Sequence, residues 1–282
     1  MTRISVVIPT HLRAELLRDA VDSVVRQTRL PDELIVVGDV EDDATRQAIA
    51  DFKTGLDFPI VYRRNLAVPG VCGSRNLGAR VASGDRLAFL DDDDVWQPAF
   101  LESCADAATA TGASLVIAPL HEVSPTGRRR VRRQPEGLLP ATLFSQPGGM
   151  TGSNFLVERR AFFSAGGFDP RVAVFNDWDL FFRLVALPAR YTVLPEPLVE
   201  WRQHEGARIG TFSERRAAGL DFFVSRYRDH MPMSLVRELS ATAAGMRRCL
   251  SRSKFDYAKH SLALARAHGL GGAMKKILKV ET

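Results

Sequence analysis

Between residues 4 and 90 the sequence alternates short apolar runs with segments of helical period, and that alternation fixes the class of fold. Residues 4–8, 34–37, 60–62 and 87–90 are apolar, largely β-branched and too short for helices, so they read as buried strands. Between them, residues 12–27 place Leu16, Leu17, Ala20, Val21, Val24 and Val25 at helical spacing. Residues 43–52 read as a second helix capped by Asp42 or Asp43, and residues 71–83 as a third. Such a pattern implies right-handed crossovers and an α/β fold: a mostly parallel central sheet with helices on both faces. Further along, residues 99–111 read as a helix, 114–118 and 155–157 as strands, and 160–165 as a short helix stopped by Gly166-Gly167. Residues 177–186 form another helix, with Asp177 and Asp179 in its first turn. Beyond residue 204 the pattern is helical throughout, with amphipathic segments at 211–227, 234–248 and 254–267. Two regions follow: residues 1–205, and a C-terminal helical extension over 206–282.

The fourth strand ends in Asp91-Asp92-Asp93-Asp94. Like charges at the end of a buried strand raise one another's energy unless something positive sits among them. Carboxylate oxygens are hard ligands that suit Mg²⁺ or Mn²⁺. Open α/β sheets bind ligands beyond the carboxyl ends of their strands. The run therefore points to a metal–nucleotide site. Taken alone, the same acids also fit a solvated loop, and Asp91 or Asp94 a cap for the helix beginning near Pro98. No GxGxxG opens the first crossover and no GxxxxGK[ST] appears, which excludes the commonest dinucleotide and P-loop sites.

Charge is unevenly spread. From Trp201 onward there are 16 Lys/Arg against 7 Asp/Glu, a balance of +9, while the first 200 residues balance at −4. The basic tail reads first as a solvated helical surface, and second as a contact for an anionic partner such as a membrane surface through Lys275, Lys276 and Lys279. Residues 122–135 form a polar excursion with a turn at Pro125-Thr126-Gly127, carrying Arg128, Arg129, Arg130, Arg132 and Arg133. It reads as a solvated hairpin or mobile loop, or as a clamp for phosphates or an acidic acceptor. No aromatic residues interleave with these arginines, so no nucleic-acid partner is expected. No stretch approaches the roughly 20 apolar residues that span a bilayer, and the N-terminus lacks a signal-peptide pattern. Cys72, Cys104 and Cys249 form no close pair, which suits a reducing cytoplasm.

The order Ser5-Val6-Val7-Ile8-Pro9-Thr10, Gly70 to Gly78, Asp91-Asp92-Asp93 and Asn176-Asp177-Trp178-Asp179 resembles the ordered motifs of family-2-type glycosyltransferases of the GT-A fold. Ser5-Val6-Val7-Ile8-Pro9-Thr10 resembles the opening strand and nucleotide loop. Ser23-Val24-Val25-Arg26-Gln27-Thr28 and Glu33-Leu34-Ile35-Val36-Val37-Gly38-Asp39 resemble the first helix and second strand. Gly70-Val71-Cys72-Gly73-Ser74-Arg75-Asn76-Leu77-Gly78 resembles the segment before the metal motif, and Asp91-Asp92-Asp93 the DxD motif itself. Gly166-Gly167-Phe168-Asp169 and Asn176-Asp177-Trp178-Asp179 resemble the acceptor-side region and ED motif, and Arg202-Gln203-His204 the late histidine motif. The resemblance covers roughly the first 205 residues.

It implies a metal-dependent inverting glycosyltransferase with a GT-A, Rossmann-like core, drawing on a nucleoside-diphosphate sugar, most naturally a UDP-sugar. Pro9, Thr10, Arg13, Asp39, Arg75, Asp91 and Asp92 would bind the nucleotide. Asp91, Asp93 and His204 would hold Mn²⁺ or Mg²⁺. Asp177 would be the general base, with Asn154, Asn176, Trp178 and Asp179 on the donor and acceptor side. The acceptor stays open among glycans, lipid-linked sugars, proteins and small natural products. Two positions depart from the family pattern: Gly38 stands where an acid is usual before Asp39, and Asn176 where a Glu is usual before Asp177. The competing readings are a sugar-nucleotide nucleotidyltransferase and a catalytically silent nucleotide-binding module. The first lacks its glycine-rich basic signature after the first strand. The second sits poorly with intact Asp91, Asp93 and Asp177.

Overall fold

Seven elements follow one another as the alternation predicts: β1 (Ile4–Thr10), α1 (Ala14–Val25), β2 (Glu33–Gly38), α2 (Asp43–Phe52), β3 (Ile60–Arg64), α3 (Val71–Val81) and β4 (Arg86–Phe89). The computed structural model describes residues 2–52, 56–145, 148–188, 190–203 and 212–268. β1 lies between β2 and β4, parallel to both, with Val6 opposite Leu34 on one side and Ala88 on the other. Alternation along β1 sends Val6 and Ile8 into one core with Leu17, Ala20, Val21 and Val24 of α1. Val7 faces the opposite way, onto α3, where a Cβ on Gly78 would collide with its side chain. Helices therefore cover both faces of the sheet. Asp42 accepts from the N–H groups of Ala44 and Thr45, so it is Asp42 that caps α2.

The chain continues through β5 (Val95–Trp96), α4 (Phe100–Thr111), β6 (Leu115–Ile117), β7 (Leu120–Val123), β8 (Arg129–Arg132), β9 (Phe155–Glu158), α5 (Arg159–Ser164), α6 (Asn176–Val185), β10 (Tyr191–Val193) and β11 (Val199–Arg202). The main sheet has the order β10-β6-β9-β4-β1-β2-β3. β9 alone runs antiparallel to its neighbours β4 and β6. The sequence does not foretell the second sheet, of order β5-β11-β7-β8. Its strands are two to four residues long, too short for a period to show. The polar excursion becomes a hairpin: β7 and β8 pair antiparallel around Gly127, whose φ of 77° suits glycine. The acidic run does not cap α4. α4 starts at Phe100, whose N–H reaches Gln97 O, and the N–H of Leu101 is taken by Gln27 Oε1 at 2.9 Å.

The chain divides into two compact units, Met1–Pro170 with Asp177–Glu205, and Arg171–Asn176 with Gly206–Thr282. The described part of the second is built on α7 (Glu214–Tyr227), α8 (Met233–Leu250) and α9 (Lys254–His268). Ser213 caps α7 by accepting from Arg216 N, and Phe223 packs between Phe175 and Tyr227 at ring distances of 5.3 and 5.0 Å. Arg247 of α8 bonds Glu214 and Asp221 of α7. Among the described residues no helix is long and apolar enough to cross a membrane. Cys72, Cys104 and Cys249 form no disulfide, and the first two are buried while Cys249 is exposed.

Candidate active site

Phe89, the last residue of β4, is fully buried among Phe155, Phe162 and Phe168, each ring 5.4 Å away. That aromatic cluster anchors the strand whose next turn is acidic. Leu90 still bonds to Val7 O, and the chain then turns on itself with Asp94 N donating to Asp91 O. β5 follows at once, and Trp96 locks it down by donating Nε1–H to Ser153 O at 2.7 Å. The four acids are thus pinned at both ends, and they alternate in burial.

Asp92 and Asp94 turn inward. Asp92 accepts from Thr10 Oγ1 at 2.8 Å and His11 N at 3.3 Å, and meets Arg13 at 3.3 Å. Asp94 accepts from Ser153 Oγ at 2.5 Å and Arg202 N at 3.1 Å. Both therefore hold loops. Asp91 and Asp93 stay partly open, with side chains 29% and 25% exposed, so the spacing of two that the motif requires is realised as one shared outward side. Arg13 pairs with Asp93 at 2.8 Å, and Arg75 with Asp91 at 2.5 Å.

Crowding shows in the acidities. Burial pushes Asp92 up to about 6; the Thr10 hydrogen bond and Arg13 resist it, while Asp93 and Asp91 add to it. Asp94 is driven well above the usual carboxylate range by burial and then by Asp93 and Asp91. Carboxylate oxygens of Asp91, Asp93 and Asp94 lie within 4.8 Å of one another. An all-oxygen donor set under mutual repulsion fits a hard divalent cation. His204 lies outside the described residues, as do Lys275, Lys276 and Lys279.

Arg75 is the pivot of the site. It is 3% exposed, it lies over the Phe168 ring at 4.8 Å, and it reaches Asp91. Burial works against its charge, but Asp91 and then Asp177 outweigh that and raise its pKa. Sequence reasoning set it in the nucleotide pocket; in the structure its guanidinium donates to Asp91. Room for it comes from Gly152, where a Cβ would overlap the guanidinium and come within 2.9 Å of Asp91 Oδ2. Asp177 is half-buried in the first turn of α6. Burial raises its carboxyl above the ordinary range, Arg75 and Arg132 pull it down, and Asp91 pushes it up. Trp178 packs on Gly148, and Asp179 is fully buried and clamped by Arg183 at 2.6 and 3.0 Å. α6 opens at Asn176.

At the ends of β1 and β2, Asp39 meets His11 Nδ1 at 2.5 Å and accepts from Gly70 N at 2.9 Å. Gly70 precedes α3 with φ 99°, a conformation open to glycine, and Asp39 receives its otherwise unpaired N–H. Pro9 and Thr10 are buried in β1. The departure at Gly38 has a physical reason: a Cβ there would stand 2.6 Å from the Tyr62 hydroxyl, so tyrosine occupies the space that an acid would need.

The glycine-rich turn over residues 148–154 joins these parts. Asn154 is fully buried, its amide donating to Ala118 O and Gly149 O while its oxygen accepts from Thr151 N. It therefore shapes the turn from within. Gln134 accepts from the N–H groups of Gly149 and Met150 at 2.7 and 3.0 Å. Sequence reasoning missed Gln134, and it placed Arg132 and Arg202 in motifs without the contacts they make here. For Gly152 and Ser153 the signal was the density of Gly, Ser and Asn at 148–154, which marks a turn without saying what it touches.

The model for "Glycosyl transferase family 2" matches residues 5–165. The chain belongs to glycosyl transferase family 2. This family 2 chain is 34% identical over 116 residues to the validoxylamine A glucosyltransferase of Streptomyces hygroscopicus subsp. limoneus, a match covering 40% of this chain and 25% of that protein. It is 33% identical over 93 residues to the UDP-Glc:alpha-D-GlcNAc-diphosphoundecaprenol beta-1,3-glucosyltransferase WfgD of Escherichia coli, covering 33% of this chain and 36% of that one. The matches thus span about a quarter to a third of those relatives' own length. The crystal structure of S. aureus TarS 1–349 in complex with UDP-GlcNAc superposes with a TM-score of 0.60 at 17% identity, over 94% of this chain and 71% of that one. This family 2 chain therefore has the GT-A fold.

Proposed function

We propose that the protein transfers a sugar from a UDP-sugar to an acceptor hydroxyl in a single inverting displacement assisted by a divalent cation. The observation that carries this reading is Arg75, which ties the outward side of the acidic run, through Asp91, to the charge of Asp177. Two likenesses support the donor: TarS was crystallised with UDP-GlcNAc and with UDP, and WfgD is named for UDP-Glc.

The nucleotide belongs at the ends of β1 and β2, beside Pro9, Thr10, Arg13 and Asp39, with Asp92 fixing the loop from below. Asp91 and Asp93 would hold Mn²⁺ or Mg²⁺, with His204 as a further ligand, and the ion would supply charge compensation for the departing diphosphate. Asp177 is assigned the proton. The acceptor oxygen attacks the anomeric carbon as its proton passes to the carboxylate. Burial makes that carboxyl a stronger base than an exposed one, while Arg75 and Arg132 favour the ionised form that a base needs. Trp178 and Asn176 flank it, and Asp179 fixes the helix through Arg183.

The test is Asp177→Asn, assayed for transfer and for Mn²⁺-dependent UDP binding. Transfer is expected to vanish while nucleotide affinity changes by no more than a few-fold. Unchanged turnover would remove Asp177 from the base role.

A further inference from the structure

The hairpin of β7 and β8 carries five arginines within six residues, and the reading above uses only the charge of one. Alternation divides them. Arg129 and Arg133 fall on one side, and both are tied down. Arg129 pairs with Glu200 at 2.5 Å; Arg133 bonds Glu136 at 2.8 Å and the carbonyls of Leu194 and Pro195. Arg130 and Arg132 fall on the other side, and Arg128 is next in that series at the turn. Arg128 and Arg130 are exposed, and the side chain of neither makes a hydrogen bond or ion pair among the described residues. Glu122, directly opposite Arg130, is engaged by Gln203.

Arg132 ends the series at the site. It is half-buried, lies over the Trp201 ring at 5.1 Å and donates to Gly148 O at 3.3 Å. Gly148 packs under Trp178, where a Cβ would stand 2.9 Å from the ring, and Trp178 follows Asp177. The row of guanidinium groups thus leads from the open tip of the hairpin toward the assigned base. Like charges along one strand face weaken a hairpin. An anion bound there would reverse that, since guanidinium groups bind phosphate and carboxylate in fixed, two-point geometry.

We propose that Arg128, Arg130 and Arg132 form an acceptor track, so that the acceptor of this transferase is a chain bearing phosphate or carboxylate groups. The anionic groups ahead of the reacting unit lie along Arg128 and Arg130, and Arg132 steadies the group nearest the hydroxyl that Asp177 deprotonates. The proposal rests on the transferase reading of Asp177 and adds the class of its acceptor.

The experiment measures binding of inorganic polyphosphate and of polyglutamate to the full chain at low salt, in the parent, in Arg128→Gln/Arg130→Gln and in Arg128→Lys/Arg130→Lys. UDP with Mn²⁺ is titrated in parallel. Polyphosphate or polyglutamate is expected to bind the parent, and the tighter of the two names the anionic group. The glutamine variant should lose about tenfold in that affinity. The lysine variant should recover most of it, and UDP binding should be the same in all three. Polyanion affinity unchanged in the glutamine variant would overturn the track, because the anion would then sit elsewhere, such as on the basic helical region. A parent that binds neither polyanion would overturn it as well. Failure of the parent to bind UDP would instead strike the transferase reading, whatever the hairpin does.

Discussion

The two sides of the site are held by different forces. On the side proposed for the nucleotide, β1, β2 and β4 run parallel through a dry core, and the loops of the site are the short ends of long-range strands packed by Val, Ile, Leu and Phe. On the side proposed for the acceptor, the short strands of the second sheet and the turn at residues 148–154 are held by polar side chains: Gln134, Ser153 and Asn154 each satisfy two or more groups of the turn or the acidic loop. Apolar burial contributes stability in proportion to area and tolerates small shifts, whereas a buried amide that loses its partner leaves a directional group unsatisfied. Sequence change on the first side should be felt as lost stability, and on the second as lost geometry.

The largest effect should come from the dry side. Phe89→Ala removes a fully buried ring in contact with three others and should cost about 3–5 kcal/mol in denaturant unfolding. Next, Gly152→Ala places a methyl group on the Arg75 guanidinium. It should cost about 1–3 kcal/mol by overpacking and cut transfer far more than the stability loss explains, since Arg75 must leave Asp91. Gln134→Ala strands the N–H groups of Gly149 and Met150, for about 1–3 kcal/mol, with transfer again falling more than stability. If Gln134→Ala or Gly152→Ala instead lowered stability as much as Phe89→Ala while sparing turnover per folded molecule, the contrast between the two sides would fail.

The smallest effect concerns pH. Glu33 begins β2 on the dry side, yet it accepts from Ser83 N, Ser5 Oγ and Ser83 Oγ, each at 2.7 Å. Burial alone would raise its pKa, but these bonds outweigh burial and hold it below the ordinary 4.5. A carboxyl more acidic folded than unfolded stabilises the fold above its unfolded value and loses that contribution as pH falls below it. Unfolding free energy should therefore drop as pH falls through and below about 4.5. In Glu33→Gln that part of the slope should be absent; an unchanged slope would assign it to other carboxylates.

The contrast also explains what could be read in advance. β1 to β4 and α1 to α3 were legible because each carries its own period, and the order of buried runs leaves few parallel arrangements. The acidic run stood out because four acids after a buried strand are costly without a partner, and it was the resemblance to the DxD motif that set Asp91 and Asp93 apart. What Asp92 and Asp94 hold was not legible, because it depends on Thr10, Ser153 and Arg202, distant in sequence. β5, β10 and β11 escaped notice for the same reason: two to four residues show no period, and their pairing partners lie elsewhere in the chain. Gly38 read as a departure from a pattern, and only Tyr62, across the β2–β3 pair, gives it a cause.

The central claim is that the acidic run, with Arg75 and Asp177 around it, serves a metal-bound UDP-sugar. Calorimetric titration with UDP, alongside GDP, TDP, CDP and ADP and each with and without Mn²⁺, tests it most directly. The account predicts that UDP binds tightest, that removing Mn²⁺ weakens it strongly, and that Asp93→Ala erases the difference between the two conditions. Binding of no diphosphate, or equal UDP affinity with and without Mn²⁺ in the parent protein, would contradict it.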